Sequence, residues 1–146
     1  MLKRTSTAVW KGNGLEGKGA LTTQSGVFKE QPYSFQTRFV SEDGRAGTNP
    51  EELIAAAHAG CFAMALSFGL TGAGHPPDEL DVKANVTMDK EGVHWFVKNI
   101  TLELEAKVPG ISEATFKECA DAAKKGCPIS KALSAVPIDL VAKLKA

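Results

Sequence analysis

The sequence predicts an α+β fold, and three observations support this prediction. Segments in which apolar and polar residues alternate occur near the N-terminus, in the middle and at the end of the chain. A long apolar helical segment separates the first two groups, and two shorter helical segments precede the last strand. This order is typical of an α+β fold. The chain has 146 residues, the length of one ordinary domain, so we expect residues 1–146 to form a single domain.

The first group of strands is predicted before the long helix. Residues 5–10 and 18–24 flank a glycine-rich turn, which predicts a β-hairpin. In residues 33–40, aromatic side chains alternate with polar ones. This pattern predicts a third strand that buries its aromatic face and carries Arg38 on the other face.

The long helix is predicted to begin after Asn49. Asn49 can cap the helix, Pro50 suits its first position, and Glu52 can complete a capping box. Residues 53–68 are nearly all apolar or small, which is typical of a helix buried on every side. Because one sheet covers only one side of a helix, we expect a second chain to cover another side.

The later strands are predicted from the same alternation of apolar and polar residues. Residues 82–88 and 94–108 alternate on either side of a turn at residues 89–92. Residues 136–144 alternate as well, and Pro137 indicates an edge position because proline cannot donate a ladder hydrogen bond.

Two helices are predicted between these strands. The first begins near Ser112 and ends at Gly126, in the usual position of glycine after a helix. Cys127 and Pro128 then begin a short helix, with Cys127 at the N-cap and Pro128 at the first helical position.

Composition and charge exclude several classes of function. The 17 basic side chains equal the 17 acidic ones, so the chain offers no basic field for nucleic acid. No uninterrupted apolar run reaches the roughly 20 residues of a bilayer span, and the first residues lack the apolar stretch of a secretion signal. We therefore expect a soluble, cytoplasmic protein without a nucleic-acid or membrane partner.

The cysteines and histidines do not form a metal or disulfide pattern. The three cysteines are widely separated and the three histidines are scattered. Neither a disulfide scaffold nor a zinc site has this spacing. We expect no metal and no cofactor.

Cys127 has the strongest local signal for reactivity. A thiolate at a helix N-cap faces free backbone N–H groups and the positive end of the helix dipole, and both lower its pKa. The alternative is that Cys127 is only a small capping residue.

Cys61 has the opposite local environment, because it lies in the middle of the apolar helix. Burial raises the pKa of a thiol, so position alone favours an inert core residue. A cation about 4 Å away would change this, since it contributes about 4 kcal/mol at an effective dielectric constant of 20. Arg38 is the best candidate for that cation, the alternative being an exposed strand arginine. Glu51 either complements the helix dipole or clamps Arg38 in a bidentate ion pair.

Two further candidates have simpler interpretations. His58 precedes Cys61 by three residues on the same helix face, as a Cys–His dyad would require. No third orienting residue is evident, so we expect a hydrogen-bonded interior or lining histidine. Cys119 lies on the buried stripe of its helix and is expected in the core. Phe39, Phe62 and Phe68 are candidates to line an organic pocket, although core packing is the expected role of each.

Several longer motifs carry a family resemblance. Residues 48–62 have the sequence TNPEELIAAAHAGCF, residues 108–111 are VPGI, and residues 126–130 are GCPIS. These motifs resemble the central helix and the second-cysteine region of the OsmC/Ohr family, the osmotically inducible and organic hydroperoxide resistance proteins. Residues 31–39, QPYSFQTRF, resemble the strand before that helix in the OsmC branch.

The resemblance implies a fold, an assembly and an activity. The fold would be OsmC/Ohr-like, with antiparallel sheets around a long central helix in an intertwined homodimer. The activity would be that of a thiol-dependent peroxidase reducing organic hydroperoxides, and hydrogen peroxide more weakly, in oxidative or osmotic stress defence.

The resemblance also implies residue roles by motif position. Cys61 would be the peroxidatic cysteine and Cys127 the resolving cysteine, while Arg38 and Glu51 would be the activating pair, supplied by either subunit. A sulfenic acid at Cys61 would condense with Cys127 to a disulfide, which an external dithiol such as a lipoylated protein would reduce. Cys119 would lie outside this redox pair.

Two other functions stay open from the residues alone. One is a non-catalytic dimer that binds a small molecule in the same interface pocket, with Cys61 as a packing residue. The other is a Cys–His hydrolase that depends on His58.

Overall fold

The computed structural model describes residues 1–146. The chain divides into two compact units, an N-terminal unit of residues 1–53 and a C-terminal unit of residues 54–146. Each is described in turn.

The N-terminal unit contains a three-stranded antiparallel sheet. Strands β1 (Ser6–Lys11), β2 (Lys18–Thr23) and β3 (Gln31–Tyr33) pair in the order β1-β2-β3. The predicted hairpin is therefore confirmed.

The predicted strand at residues 33–40 is wrong beyond Tyr33. Residues Gln36–Val40 form a π-helical turn, and Arg38 lies on that turn. The cause is a reciprocal pair of hydrogen bonds, in which the Ser34 N–H donates to the Thr37 hydroxyl (3.0 Å) and the Thr37 N–H donates to the Ser34 hydroxyl (3.3 Å). This arrangement is a capping box, and it starts a helical turn where the aromatic alternation favours a strand.

Helix α1 (Pro50–Gly72) begins as predicted. The Asn49 side chain accepts a hydrogen bond from the Glu52 N–H at 2.8 Å. The Glu52 carboxylate accepts from the Thr48 hydroxyl instead of completing the predicted box with Asn49. The helix extends beyond residue 68 and ends in a Schellman motif, in which Gly74 adopts a left-handed φ of 83° and the His75 N–H donates to the Leu70 carbonyl.

The C-terminal unit contains a mixed three-stranded sheet, so the expectation of antiparallel sheets is wrong for its last strand. Strands β4 (Glu79–Glu91) and β5 (His94–Lys107) form a long antiparallel hairpin, and β6 (Ile138–Leu144) pairs in parallel with β5. The order β4-β5-β6 leaves β6 at the edge, as Pro137 predicted.

Helices α2 (Glu113–Gly126) and α3 (Pro128–Ala132) connect β5 to β6. The Ser112 hydroxyl caps α2 by accepting from the Thr115 N–H at 3.1 Å. Gly126 is the last helical residue of α2 and not the residue after it, so that detail of the prediction is wrong. Cys127 ends α2 and begins α3, with Pro128 at the first position of α3 as predicted.

One stripe of α1 forms the core of the C-terminal unit. The side chains at four-residue intervals, His58, Phe62, Leu66 and Leu70, are buried. The three apolar members share a core cluster with the inner face of β5 and with Phe116 of α2. The opposite face is uncovered in the single chain, where Met64 is 65% exposed and Phe68 is 74% exposed. The predicted burial on every side is therefore not met within one chain, because the sheet covers one side only.

Helix α1 also meets the length and composition of a membrane span. It has 23 residues and a mean hydropathy of 1.8 over its most apolar window. The expectation concerned an uninterrupted apolar run, and α1 is interrupted by His58, Ser67 and Thr71. The core helix of a soluble protein passes the same test, and α1 packs one stripe into the core of its unit.

Candidate active site

Two cysteines from distant parts of the sequence meet in the C-terminal unit. Cys61 lies in the middle of α1, and Cys127 lies at the junction of α2 and α3. Their Sγ atoms are 2.7 Å apart, within reach of an S–H···S hydrogen bond from Cys127 to Cys61. Both thiols are free, and a disulfide bond of about 2.05 Å would require the sulfurs to approach by only about 0.7 Å.

Hydrogen bonds to the two sulfurs are distributed unevenly. Burial acts to raise the pKa of Cys127, but its contact with Cys61, the N–H and hydroxyl of Ser130 and the Ile129 N–H together lower it. Burial raises the pKa of Cys61, and Cys127 raises it further, while the Ile129 N–H lowers it. A proton shared by the pair can lie on either sulfur. Within this unit the extra donors favour Cys127 as the thiolate.

From the sequence, Cys61 is expected to need a nearby cation in order to ionise. The groups that shift its pKa within the C-terminal unit are Cys127 and a backbone N–H, and neither is a cation. The geometry of this unit alone therefore does not favour ionisation of Cys61.

His58 lies one helical turn before Cys61, but its hydrogen bond is with another residue and not with the Cys61 thiol. Its side chain is fully buried, and its Nε2 atom is 2.7 Å from the Ser130 hydroxyl. Burial lowers the pKa of His58, and its Nδ1 atom has no hydrogen-bond partner. These contacts confirm a hydrogen-bonded interior histidine and argue against a Cys–His dyad.

The N-terminal unit contains the second predicted pair. The Arg38 guanidinium donates from Nε to both Glu51 oxygens, at 3.1 and 3.2 Å, and from Nη2 to Oε1 at 2.6 Å. The Glu51 side chain is only 13% exposed, while that of Arg38 is 36% exposed. The Arg38 guanidinium also lies over the Phe39 ring, 4.7 Å from its centroid. The bidentate clamp is thus formed, and it fixes the guanidinium with part of its surface open.

Cys119 belongs to neither the Cys61–Cys127 pair nor the Arg38–Glu51 pair. It is half-buried at the edge of the core and lines an open, mostly apolar cleft of about 490 Å³. Ala65 and Gly69 of α1 form the facing wall of this cleft. No group of three or more His, Cys, Asp or Glu side chains is arranged to hold a metal ion.

Sequence reasoning missed Ser130 as a member of the site. It is 72 residues from His58, its hydroxyl lies 2.7 Å from the His58 Nε2 atom, and its side chain acts to lower the pKa of Cys127. The sequence signal was the position of Ser130 in the first turn of α3. A serine hydroxyl there can reach back to the N-cap residue, which is Cys127.

Known proteins resemble this chain over most of its length. The family model described as OsmC-like protein matches residues 42–141. Peroxiredoxin OsmC of Escherichia coli is 46% identical over 134 residues, which cover 92% of each chain. The organic hydroperoxide resistance protein of Xanthomonas axonopodis pv. citri is 35% identical over 92 residues, or 61% of each chain.

Solved structures share the fold. The OsmC-like protein from Mycoplasma pneumoniae is similar with a TM-score of 0.73 and 18% identity, over 99% of both chains. This similarity confirms the predicted α+β, OsmC/Ohr-like fold, with two sheets and a central helix. The homodimer remains a prediction.

The buried imidazole generates a prediction about stability and pH. The pKa of His58 is lowered from 6.5, so between the lowered value and 6.5 the unfolded chain binds a proton that the folded chain does not. The stabilisation is fully present above about pH 6.5 and decreases as the pH falls, by at most about 1.4 kcal/mol per pH unit. We predict that His58→Gln removes this part of the slope, while His94→Gln, at an exposed position, keeps it. Urea unfolding at several pH values and one protein concentration measures both, and an unchanged slope in His58→Gln would contradict the prediction.

Proposed function

This chain belongs to the OsmC family and is a peroxidase-type enzyme, and from that premise we propose that it reduces organic hydroperoxides to alcohols through a cysteine redox pair. The observation that carries the proposal is the 2.7 Å separation of the Cys61 and Cys127 sulfurs, which are 66 residues apart in sequence. Such a contact allows one thiol to be oxidised and the other to trap the product. We further propose that residues 1–146 act as one OsmC-like domain.

The reaction has three steps. The Cys61 thiolate attacks the terminal peroxide oxygen, the O–O bond breaks, and the alkoxide takes up a proton and leaves as the alcohol. Cys61 is then a sulfenic acid. Cys127 attacks its sulfur, an S–S bond forms, and the hydroxyl of the sulfenic acid leaves with a proton as water. An external dithiol reduces the disulfide by exchange and becomes a disulfide itself.

Arg38 is the group that we assign to ionise Cys61. Burial raises the pKa of Cys61 within its own unit, so a cation has to act on it. The bidentate contact of Arg38 with Glu51 fixes the direction of its free N–H groups. Those N–H groups would stabilise the thiolate before the reaction and the peroxide oxygens as charge develops on them.

A homodimer would complete the fold. The uncovered face of α1 carries Met64 and Phe68, which are large apolar side chains exposed in the single chain. Contiguous exposed apolar surface of this kind is typical of an interaction site. We propose that a second copy of the chain covers this face, as the family resemblance implies.

The surroundings of the thiols favour an organic substrate over a small polar one. Cys61 lies on an apolar stretch of α1, with Ala57 and Ala65 one helical turn before and after it. An alkyl or aryl group gains free energy by entering such surroundings, whereas hydrogen peroxide does not. We place the reaction in the cytoplasm, where thiols stay reduced, with a lipoyl-type dithiol as the reductant.

The redox pair generates a prediction about cysteine variants. Cys61→Ser is expected to lose hydroperoxide turnover, because the attacking sulfur is gone. Cys127→Ser is expected to form the sulfenic acid but no intramolecular disulfide, and to accumulate sulfinic acid at excess peroxide. Cys119→Ser is the matched control and is expected to match the wild type. Dithiol-coupled consumption of cumene hydroperoxide measures turnover, and normal activity in Cys61→Ser would refute the mechanism.

The arginine assignment generates a second prediction. Arg38→Met is expected to slow the reaction of Cys61 with cumene hydroperoxide at pH 7 by about 10²- to 10³-fold, since one nearby cation contributes about 4 kcal/mol to the thiolate. The pH at which Cys61 is alkylated by iodoacetamide should rise in parallel. Arg38→Lys keeps the charge without the bidentate contact and should be intermediate. Arg45→Met, at an exposed turn, is the control, and equal rates in Arg38→Met and Arg45→Met would show that Arg38 is not the activating cation.

The uncovered face of α1 generates a third prediction. Met64→Asp places a charge on this face without disturbing the core, so sedimentation velocity should show a shift from dimer to monomer. Val141→Lys places a charge at another exposed apolar side chain, on β6, and should leave the dimer intact. A wild-type chain that sediments as a monomer would refute the dimer proposal.

A further inference from the structure

A buried polar chain beside the two thiols has no role in the three steps above. It consists of His58, which is fully buried, and Ser130, which is 5% exposed. The His58 Nε2 atom lies 2.7 Å from the Ser130 hydroxyl. His58 precedes Cys61 by three residues on α1, and Ser130 follows Cys127 by three residues at the start of α3, so this contact lies beside the contact of the two sulfurs. The Ser130 side chain acts to lower the pKa of Cys127. A buried imidazole among apolar side chains is costly unless it is paired, yet only one of its two nitrogens has a partner.

The unpaired nitrogen indicates which tautomer is present. A neutral imidazole carries one N–H donor and one acceptor lone pair. If the proton were on Nδ1, a buried N–H donor would be left without an acceptor, and orphaned buried N–H groups are rarer than under-used acceptors. The proton therefore belongs on Nε2, where it donates to the Ser130 oxygen at 2.7 Å.

This tautomer sets the direction of the next hydrogen bond. The Ser130 oxygen accepts from His58, so its single hydrogen is free to point at the neighbouring Cys127 sulfur, whose pKa the Ser130 side chain lowers. A donor aimed at sulfur stabilises the thiolate more than the thiol. The direction of donation thus runs from His58 through Ser130 to Cys127.

We propose that His58 and Ser130 are positioning residues for the second step, in which His58 orients the Ser130 hydroxyl to stabilise the Cys127 thiolate that attacks the Cys61 sulfenic acid. This inference rests on the proposed peroxidase function and assigns a role within it. The S–S bond forms as the S–O bond of the sulfenic acid breaks, and the departing hydroxide takes a proton from solvent to become water. His58 and Ser130 are unchanged at the end of the step.

The neighbours of Cys127 within its unit are consistent with this role. The titratable groups that α1 brings to this region are Cys61, which contacts Cys127, and His58, which contacts Ser130. Helix α3 contributes uncharged donors, namely the hydroxyl and N–H of Ser130 and the N–H of Ile129, and the pKa of Cys127 is lowered by these bonds against the effect of burial. The Ser130 hydroxyl is the one donor of this set that a side-chain substitution can remove.

A single-turnover experiment at a series of pH values tests the proposal. One equivalent of cumene hydroperoxide is added to the full-length protein, and samples are quenched for mass spectrometry, with dimedone to trap the sulfenic acid. In Ser130→Ala the conversion of sulfenic acid to Cys61–Cys127 disulfide is expected to slow by about 10-fold at pH 7, and its pH profile to shift upward. Ser130→Thr keeps a hydroxyl and should restore rate and profile. Ser134→Ala, at an exposed serine, should match the wild type.

The histidine is tested in the same way. His58→Phe removes the donor and should resemble Ser130→Ala, while His58→Gln offers an amide N–H and should recover part of the rate. Circular dichroism confirms that each variant is folded. A disulfide-forming rate and pH profile unchanged in Ser130→Ala would overturn the positioning role. A wild-type protein that forms neither sulfenic acid nor disulfide would instead refute the proposed function, so the two failures are distinguishable.

Discussion

The packing of one stripe of α1 against the sheet of the C-terminal unit is the constraint on which the thiol site depends. Phe62, Leu66 and Leu70 share a core with the inner face of β5, and their burial fixes the rotation of the helix. That rotation places His58 in the interior and Cys61 against Cys127. Replacement of a buried leucine by alanine costs about 2–5 kcal/mol, so these contacts hold the register strongly.

The same packing also affects how readily the Cys61 and Cys127 thiols ionise. Burial opposes ionisation of both thiols, and the backbone and side-chain donors of α3 offset it mainly at Cys127. In the proposed mechanism, Cys127 would resolve the sulfenic acid with donors of its own, and Cys61 would be ionised by an added cation. The Glu51 clamp holds the Arg38 guanidinium in a fixed orientation, as the cation assigned to Cys61 in that mechanism would need.

The helix ends that depend on neighbouring side chains could be predicted from the sequence. The start of α1 at Pro50 and the cap at Cys127 follow from side chains next to the helix ends. The strand predicted after Tyr33 is wrong because the Ser34–Thr37 capping box stabilises a helical turn there in spite of the aromatic alternation. The residues of this capping box are visible in the sequence. The contact of His58 with Ser130 joins residues 72 positions apart, so only the three-dimensional fold discloses it.

Non-reducing peptide mass spectrometry after one equivalent of cumene hydroperoxide, with hydrogen peroxide in a parallel sample, tests the central claim most directly. The account predicts a Cys61–Cys127 disulfide with Cys119 left free, formed faster with the organic peroxide. Three unmodified thiols after minutes of exposure would contradict it, and a dimer that binds small molecules without chemistry would then be the better description.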